Sequence, residues 1–244
     1  MIIAISGQAG SGKDTAADFL VKHRGFVKVA FADPMKRICK EVYDFTDEQL
    51  WGPSELRNVP DERYPRVFAA TMNDGPNNTF PTEYLTPRYA LQQLGTEWGR
   101  SCYLQTWTRL LLKTAKTLMD GQGEWGYYGP KGLYRWSDTR DWDEADRRYN
   151  RRPRGIVVPD LRWPDGNEGQ AIRAAGGRLL RMKRGTGLKG EAGEHLSEAS
   201  MQDVPDVHFD EVVENEEWSL LELENFMCFI VPEWTPEEGE AALE

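Results

Sequence analysis

The sequence predicts an α/β fold, in which a parallel sheet is flanked by helices. Five apolar runs have the length of strands, and they lie at 1–6, 26–31, 156–160, 178–182 and 207–213. Segments with helical spacing or helix-start signals lie between or beside them, at 13–23, 34–42, 86–100, 102–119, 167–175 and 218–230. In the second of these, Asp33 before Pro34 is the predicted N-cap, and one apolar face is formed by Met35, Ile38, Cys39 and Val42. Thr46 with Gln49 predicts a capping box on a further short helix. Strands that alternate with helices are typical of a parallel sheet covered on both faces.

The composition indicates a protein with a substantial core and no general affinity for nucleic acid or membranes. Of the 244 residues, 39% are hydrophobic and 11% aromatic, while the net charge is −10. This acidic balance disfavours binding to polyanions, so a phosphate substrate would need local positive charge. Three widely spaced cysteines, Cys39, Cys102 and Cys228, predict reduced and mostly buried thiols in a cytoplasmic protein.

The first apolar run is followed by Gly-Gln-Ala-Gly-Ser-Gly-Lys-Asp-Thr at 7–15. A strand, a glycine-rich turn and a helix start in this order predict a phosphate-binding loop, and with it a P-loop NTPase fold. Glycines let backbone N–H groups turn towards phosphate oxygens, and the helix start adds its positive dipole end. The predicted ATP-binding residues here are Gly10, Ser11, Gly12, Lys13, Asp14 and Thr15.

Within this loop, Lys13 is expected to reach the terminal phosphates and Thr15 to touch phosphate or Mg²⁺. The position after the lysine, usually Ser or Thr, is Asp14. Small nucleotide kinases such as adenylate kinase similarly delay their threonine. The sequence therefore favours a kinase over a GTPase or a motor ATPase.

Asp160 ends an apolar strand, where an open α/β sheet places groups that face a ligand. It is a candidate to hold a Mg²⁺-bound water or to orient an acceptor. The alternative is a turn cap, because aspartate commonly begins turns.

A polar stripe of Arg88, Gln92 and Thr96, with Arg100 beyond it, recurs every four residues on a predicted helix. It offers guanidinium groups for a phosphate and an amide for a base edge. On periodicity alone, an ordinary solvated helix face is the stronger interpretation.

A basic segment, Arg181, Lys183 and Arg184, precedes a glycine-rich stretch at 185–193. It is a candidate lid loop that closes over nucleotide phosphates and excludes water, and a solvated basic turn is equally compatible with it. His195 is a weak candidate for a base and could equally anchor the lid.

Two segments lack periodicity. Residues 53–85 are expected to form a long loop, and 120–154 an exposed insertion. The insertion carries an aromatic cluster, Trp125, Tyr127, Tyr128, Tyr134, Trp136 and Trp142. This cluster predicts packing over the domain or against a second subunit more than stacking on a base.

These segments, in this order, resemble the bacteriophage-type deoxynucleoside monophosphate kinases. The matching stretches are 6–15, 31–36, 48–52, 86–88, 91–97, 99–100, 160–164 with 167–168, and 195–198. The most specific are Leu-Gln-Gln-Leu-Gly-Thr-Glu at 91–97 and Asp-Leu-Arg-Trp-Pro at 160–164.

The resemblance implies a single P-loop kinase domain over 1–230 with an acidic tail at 231–244. An acceptor-binding segment would span about 35–105 and the lid about 184–198. The aromatic insertion, about 120–154, departs from the family pattern by its length. Lys13, Asp14 and Arg184 would be catalytic, Arg181 and Arg184 would bind ATP, and Thr15 and Asp160 would hold Mg²⁺. The substrate-binding residues would be Arg88, Gln92, Gly95, Thr96, Arg100, Asp160, Arg162 and Glu168.

The function implied is ATP-dependent phosphorylation of deoxynucleoside monophosphates for phage DNA synthesis in the host cytoplasm. A homodimer is expected, without direct binding to nucleic acid or membrane. Two alternatives remain at this point: another small-molecule P-loop kinase that resembles dephospho-coenzyme A kinase, and a nucleotide-binding regulatory protein without transferase activity.

Overall fold

The computed structural model describes residues 1–8, 10–70, 79–120, 126–128, 133–135, 153–184, 204–216 and 218–232. The chain divides into two compact units. The first consists of Met1–Phe31 with Thr108–Glu244, and the second of Ala32–Trp107. The second unit has nearly the bounds of the predicted acceptor-binding segment at 35–105.

The first unit contains the strands of the main sheet and the helices beside them. The strands are β1 (Ile2–Gly7), β2 (Phe26–Lys28), β5 (Gly126–Tyr128), β6 (Leu133–Arg135), β7 (Gly155–Val158), β8 (Arg178–Lys183) and β9 (Glu211–Glu214), numbered along the whole chain. The helices are α1 (Lys13–Arg24), most of α5 (Thr106–Met119), α6 (Asn167–Ala174) and α7 (Leu220–Ile230).

The strand order of the main sheet is β5-β6-β2-β7-β1-β8-β9. Every neighbouring pair is parallel except β5 with β6. The central strand β1 pairs Ile3 with Val157 on one side and Ile5 with Leu180 on the other. The parallel α/β fold predicted from the alternation of strands and helices is therefore confirmed.

The core of this unit lies between the sheet and two of its helices. Ile3 and Ile5 of β1 pack with Leu20 of α1 and with Leu223 and Met227 of α7. Each fully buried side chain of this size stabilises the fold by about 1.5–3 kcal/mol. The β1 strand is thus held by apolar packing as well as by its hydrogen bonds to β7 and β8.

The second unit is a small helical body with a hairpin. It contains α2 (Asp33–Tyr43), α3 (Asp47–Trp51), a 3₁₀ helix (Ser54–Asn58), β3 (Asp61–Ala70), β4 (Thr79–Leu85), α4 (Pro87–Gln92) and a π-helix (Gln93–Arg100). Its core is formed by Cys39, Phe45, Leu50, Leu85 and Ala90. The predicted capping box of Thr46 with Gln49 begins α3, as expected.

The expectation of a long loop over 53–85 is wrong. Most of this segment forms the antiparallel hairpin of β3 and β4, preceded by the 3₁₀ helix. Its register shifts between Asp61 and Pro65, between Pro65 and Val67, and between Val67 and Phe68. These irregularities and the prolines break the alternation of polar and apolar residues, and that alternation is the sequence signal for a strand.

Three local expectations are also corrected. Ala32, not Asp33, is the N-cap of α2, and the buried Asp33 carboxylate accepts a hydrogen bond from Trp51 Nε1 at 3.2 Å. Of the apolar face predicted for α2, Met35 and Cys39 are buried, but Ile38 is 37% exposed. Burial raises the pKa of the Cys39 thiol to about 11.

The same helix also exposes Val42, whose exposed fraction is 59%. The thiols are not mostly buried either, because Cys102 is exposed and Cys228 half-buried. Most of the insertion at 120–154, the lid residues 185–198 with His195, and the tail beyond 232 lie outside the described residues. The described part of the insertion corrects the expectation of an exposed segment without regular structure, because it forms β5 and β6 at the edge of the main sheet, where β6 pairs with β2.

Two glycines of the π-helix make room for large side chains within the second unit. A Cβ on Gly99 would lie 2.5 Å from the indole of Trp107, and a Cβ on Gly95 would lie 3.0 Å from Met35 Sδ. The buried Trp107 Nε1 also donates to the Gly95 carbonyl at 2.8 Å. This tryptophan therefore ties the start of α5 to the π-helix.

We expect Gly99→Ala to destabilise the protein by about 1–3 kcal/mol, because the new methyl group overlaps the Trp107 ring. Ser101→Ala, at an exposed position nearby, is the control and should change stability by less than about 0.5 kcal/mol. Urea unfolding measures both. Equal stability of the two variants would contradict the packing described for Trp107.

Candidate functional site

The glycine-rich loop between β1 and α1 has backbone conformations that favour glycine. Gly10 and Gly12 have φ angles of 80° and 91°, in the left-handed region. A Cβ on Gly7 would lie 2.4 Å from Ser11 Oγ and 2.6 Å from the Met182 carbonyl oxygen. The glycines predicted to shape this loop are therefore required by its backbone and by its close contacts.

The loop leads into the first turn of α1, which contains Lys13, Asp14 and Thr15. No side chain caps this helix, so its first N–H groups keep the donor capacity that an anion can use. Lys13 Nζ donates to the Gln8 carbonyl at 3.0 Å and thus lies over the loop. Asp14 and Thr15 are exposed in the same turn. This arrangement of donors and one ammonium group suits a phosphate chain.

Asp160 follows β7 and is joined to the end of β2. Its Oδ1 accepts a hydrogen bond from the Phe31 N–H at 2.9 Å, and the next residue, Leu161, donates its N–H to the Ile5 carbonyl at 3.2 Å. The aspartate thus lies beside the carboxyl end of β1, the strand that leads into the loop. The backbone contact gives Asp160 the turn-stabilising role that was the alternative, and its role towards Mg²⁺ stays a prediction.

Glu168 stabilises the turn that follows Asp160. The residue is 5% exposed, and its Oε2 accepts hydrogen bonds from the N–H groups of Arg162 at 3.0 Å and Trp163 at 3.2 Å. A carboxylate that accepts two backbone N–H bonds is held in one place. In this structure Glu168 acts on the shape of the 160–164 turn, and contact with an acceptor stays a prediction.

The basic segment at the end of β8 is partly engaged by acidic groups. Arg181 Nη1 contacts Asp206 Oδ1 at 2.8 Å and Lys183 Nζ contacts Asp206 Oδ2 at 2.5 Å. The Lys183 ammonium, with Arg181 beside it, holds the pKa of Asp206 below its usual range. Arg184, the next residue, is exposed. Of the predicted ATP-binding arginines, Arg184 is thus the more accessible one.

In the second unit, Arg88 lies in a polar cluster with two residues of the 3₁₀ helix. Its Nη2 donates to Ser54 Oγ at 2.9 Å and its Nε donates to Asn58 Oδ1. Neither Ser54 nor Asn58 was identified from the sequence, because their segment was interpreted as a loop. A guanidinium group beside a hydroxyl and an amide is a suitable set of donors for a phosphate.

The polar stripe runs from α4 into the π-helix. Residues four apart advance by about 40° in an α-helix, so four such residues would drift around the axis. A π-helix closes its turns with i→i+5 bonds, and residues four apart then fall short of a full turn. The change of helix type at Gln93 therefore keeps Arg88, Gln92, Thr96 and Arg100 on one side of the axis.

A cleft of about 360 Å³ lies beside this helix within the second unit. It is lined by Pro60, Arg66, Glu83, Tyr84, Thr86 and Tyr89. The Arg66 guanidinium lies 4.0 Å from the centre of the Tyr89 ring and forms an ion pair with Glu83. Two of the lining residues, Thr86 and Tyr89, flank Arg88 in sequence. Neither this cleft nor the hairpin that lines it was predicted from the sequence.

The described residues contain neither a cluster of metal-ligating side chains nor a helix of membrane-spanning length. Within these ranges, no group of three or more His, Cys, Asp or Glu side chains could hold a metal ion. No helix in the described part of the chain is long and apolar enough to span a membrane.

The fold and the loop define an α/β protein whose first strand leads into a glycine-rich loop and an uncapped helix. Residues 1–60 match the model of the deoxynucleotide monophosphate kinase family. A protein of Acanthamoeba polyphaga mimivirus, whose name assigns it provisionally as a deoxynucleotide monophosphate kinase, is 37% identical to this chain over 97 residues. The match covers 40% of this chain and 41% of the relative.

These matches confirm, for part of the chain, the resemblance found in the sequence. The region of the family match, 1–60, contains the whole glycine-rich loop and the segments at 31–36 and 48–52. The chain thus spans about two fifths of the length of the curated relative that it matches.

We expect Glu168→Ala to destabilise the protein by about 1–3 kcal/mol, because two backbone N–H groups lose their acceptor. Glu168→Gln keeps an oxygen in place and should lose less than about 1 kcal/mol. Glu41→Ala, at an exposed position, is the control for removal of a carboxylate. Urea unfolding measures the stability of the three variants and the wild type. Equal stability of Glu168→Ala and the wild type would contradict the role of Glu168 in stabilising the turn.

Proposed function

We propose that the protein is a nucleotide kinase that transfers the terminal phosphoryl group of ATP to deoxynucleoside 5′-monophosphates. The observation that carries the proposal is the coincidence of the family match with the glycine-rich loop. Residues 1–60 match this kinase family, and within them Gly12 in the left-handed region leads into an uncapped helix that begins with Lys13.

Donor binding is assigned to the first unit. Phosphoryl transfer depends mainly on positioning and on electrostatic stabilisation of the charge on the transferred group. The loop N–H groups and Lys13 would hold the phosphates, Asp14 would help to organise the loop, and Arg184 would add a second positive charge. Thr15 and Asp160 would hold Mg²⁺, which neutralises phosphate charge when it is bound.

Acceptor binding is assigned to the second unit. Arg88, with Ser54 and Asn58 beside it, would bind the 5′-phosphate, and Arg100 would supply further positive charge from the same side of the helix. Gln92 and Thr96 would bind the base or sugar through hydrogen bonds. The neighbouring cleft offers the rings of Tyr84 and Tyr89, on which a base can stack.

The charge distribution supports such an assignment of roles. A chain with a net charge of −10 repels nucleotides at long range. Binding then depends on the few cations that lie at specific positions, chiefly Lys13, Arg88, Arg100 and Arg184. Substitution of any one of these cations should therefore change nucleotide binding or turnover measurably.

The setting of the activity is also a proposal. The resemblance to phage-type enzymes suggests synthesis of DNA precursors in the cytoplasm of an infected host, by a protein that forms a homodimer and does not bind nucleic acid directly. Static light scattering tests the dimer, and one subunit per particle would exclude it.

The direct test of the reaction is a coupled assay for ADP release with ATP and a panel of acceptors. The panel contains the common deoxynucleoside monophosphates, hydroxymethylated pyrimidine variants, the ribonucleotides and dephospho-coenzyme A. We expect turnover with one or more deoxynucleoside monophosphates. Turnover with dephospho-coenzyme A alone would identify another small-molecule kinase, and tight ATP binding without any transfer would indicate a regulatory protein.

We expect Lys13→Ala to lower kcat by about 10³-fold or more, by analogy with removal of a group that stabilises the transition state. The fold should be retained, because the glycines and the buried strand β1 form the turn, and the lysine side chain adds one hydrogen bond to it. Lys22→Ala, at an exposed position in the last turn of α1, is the matched control and should keep full activity. Retained turnover of Lys13→Ala with an unchanged circular dichroism spectrum would exclude Lys13 from the mechanism.

We expect Arg88→Ala to raise the KM for the acceptor by about tenfold or more and to leave the Kd for ATP unchanged. Arg88→Lys should restore little, because an ammonium group cannot form two parallel hydrogen bonds to a phosphate. Arg63→Ala, which breaks an exposed ion pair with Asp61 in the same unit, is the control. A parallel loss of ATP affinity in Arg88→Ala would contradict an acceptor role.

A further inference from the structure

Asn215 is a buried polar residue far in sequence from the glycine-rich loop. It follows β9 directly and is 2% exposed. Its backbone is fixed on both sides, because its N–H donates to the Lys183 carbonyl at 2.9 Å and its carbonyl accepts from the Trp218 N–H at 3.3 Å. The residue is therefore anchored to the end of β8 and to the turn before α7.

The side chain of Asn215 contacts the loop itself. Its Nδ2 donates to the Ser11 carbonyl oxygen at 2.9 Å in a buried hydrogen bond that joins residues 204 positions apart. In a trans peptide, the carbonyl of one residue and the N–H of the next point in opposite directions. A Ser11 carbonyl held towards Asn215 therefore fixes the Gly12 N–H in the direction away from Asn215.

The atoms around this contact are closely packed and buried. Ser11 is 0% exposed, and a Cβ on Gly12 would lie 3.0 Å from Asn215 Nδ2. Among the described residues, Ser11 Oγ and Asn215 Oδ1 are buried without a hydrogen-bond partner. Buried polar atoms without partners destabilise a fold, so their presence in a folded protein needs an explanation. Packing alone would be served better here by an apolar side chain of similar volume.

We infer that Asn215 is a positioning residue that holds the Ser11–Gly12 peptide in the orientation that binds the phosphates of the donor nucleotide. This inference rests on the proposed function and deepens it. The backbone N–H of Asn215 also donates to the Lys183 carbonyl, next to Arg184. One residue therefore contacts both the loop and the basic end of β8. Loss of the Asn215 amide frees the peptide to rotate, and the Gly12 N–H then no longer points in one direction.

The test compares two variants of Asn215 with a matched control. Asn215→Leu keeps the branched shape of the side chain, with two larger methyl groups in place of the amide, and removes both the donor and the unpartnered Oδ1. Asn215→Ala removes the donor and leaves a cavity. Val213→Ala, a truncation of a buried apolar residue on β9, is the control for loss of packing in the same strand. Measurements are the Kd for ATP and ADP by titration calorimetry, the steady-state constants and the melting temperature.

We expect both Asn215 variants to bind ATP about tenfold or more weakly, as for loss of one oriented hydrogen bond, and to lower kcat further through misplacement of the phosphates. The KM for the acceptor should change by less than about twofold. Asn215→Leu should melt near the wild-type temperature, because removal of the unpartnered oxygen offsets the fit of the larger methyl groups, whereas Val213→Ala should melt lower and bind ATP normally. Stability and ATP affinity would thus move independently, which a merely structural role does not allow.

Two results would overturn the inference: wild-type ATP affinity in both folded Asn215 variants, or an equal loss of affinity in Val213→Ala. If neither Asn215 variant folds, Asn215→Ser, which is smaller and keeps a polar group, takes their place with the same criteria. The nucleotide titrations separate this inference from the proposed reaction. Weak ATP binding by the variants of a protein that phosphorylates no acceptor would support the inference and reject the kinase. An active kinase whose Asn215 variants bind ATP with wild-type affinity would support the proposed reaction and reject the inference.

Discussion

The parallel pairing of β1 with β7 and β8 is the constraint on which the rest of the site depends. Ile3, Ala4 and Ile5 of this strand are fully buried, so the strand has no freedom to slide or rotate. Its carboxyl end consequently delivers the glycine-rich loop at a fixed place, where Asp160 follows the neighbouring strand β7. A buried strand therefore provides the preorganisation that phosphate binding needs.

Local signals in the sequence were sufficient for the main elements of the fold. Apolar runs and helix starts predicted five of the seven strands of the main sheet, the capping box at Thr46 and the helix that begins after Thr86. They missed β5 and β6, which lie in the segment interpreted as an insertion. They failed for the hairpin at 61–85, because its prolines and register shifts remove the alternation. They also failed for Ile38 and Val42 of α2, because helical spacing does not show how wide a buried face is.

Within the candidate site, the sequence predicted the glycine-rich turn, because the residues that shape this turn are adjacent in the chain. They lie in the loop at 7–15, next to the lysine and the hydroxyl residue. The resemblance named Glu168 as a candidate substrate ligand, but not its bonds to the backbone N–H groups of a turn. Asn215 was not identified, because it acts on a carbonyl 204 residues away. A single sequence shows residue types and spacing, but not which buried polar group accepts or donates a given hydrogen bond.

The most direct measurement of the central claim follows the phosphoryl group itself. The protein is incubated with Mg²⁺, ATP labelled at its terminal phosphate and each deoxynucleoside monophosphate, and the products are separated by chromatography. The account predicts that the label appears in a deoxynucleoside diphosphate. Label found only in unreacted ATP or in inorganic phosphate, with a folded protein and every acceptor tested, would contradict it.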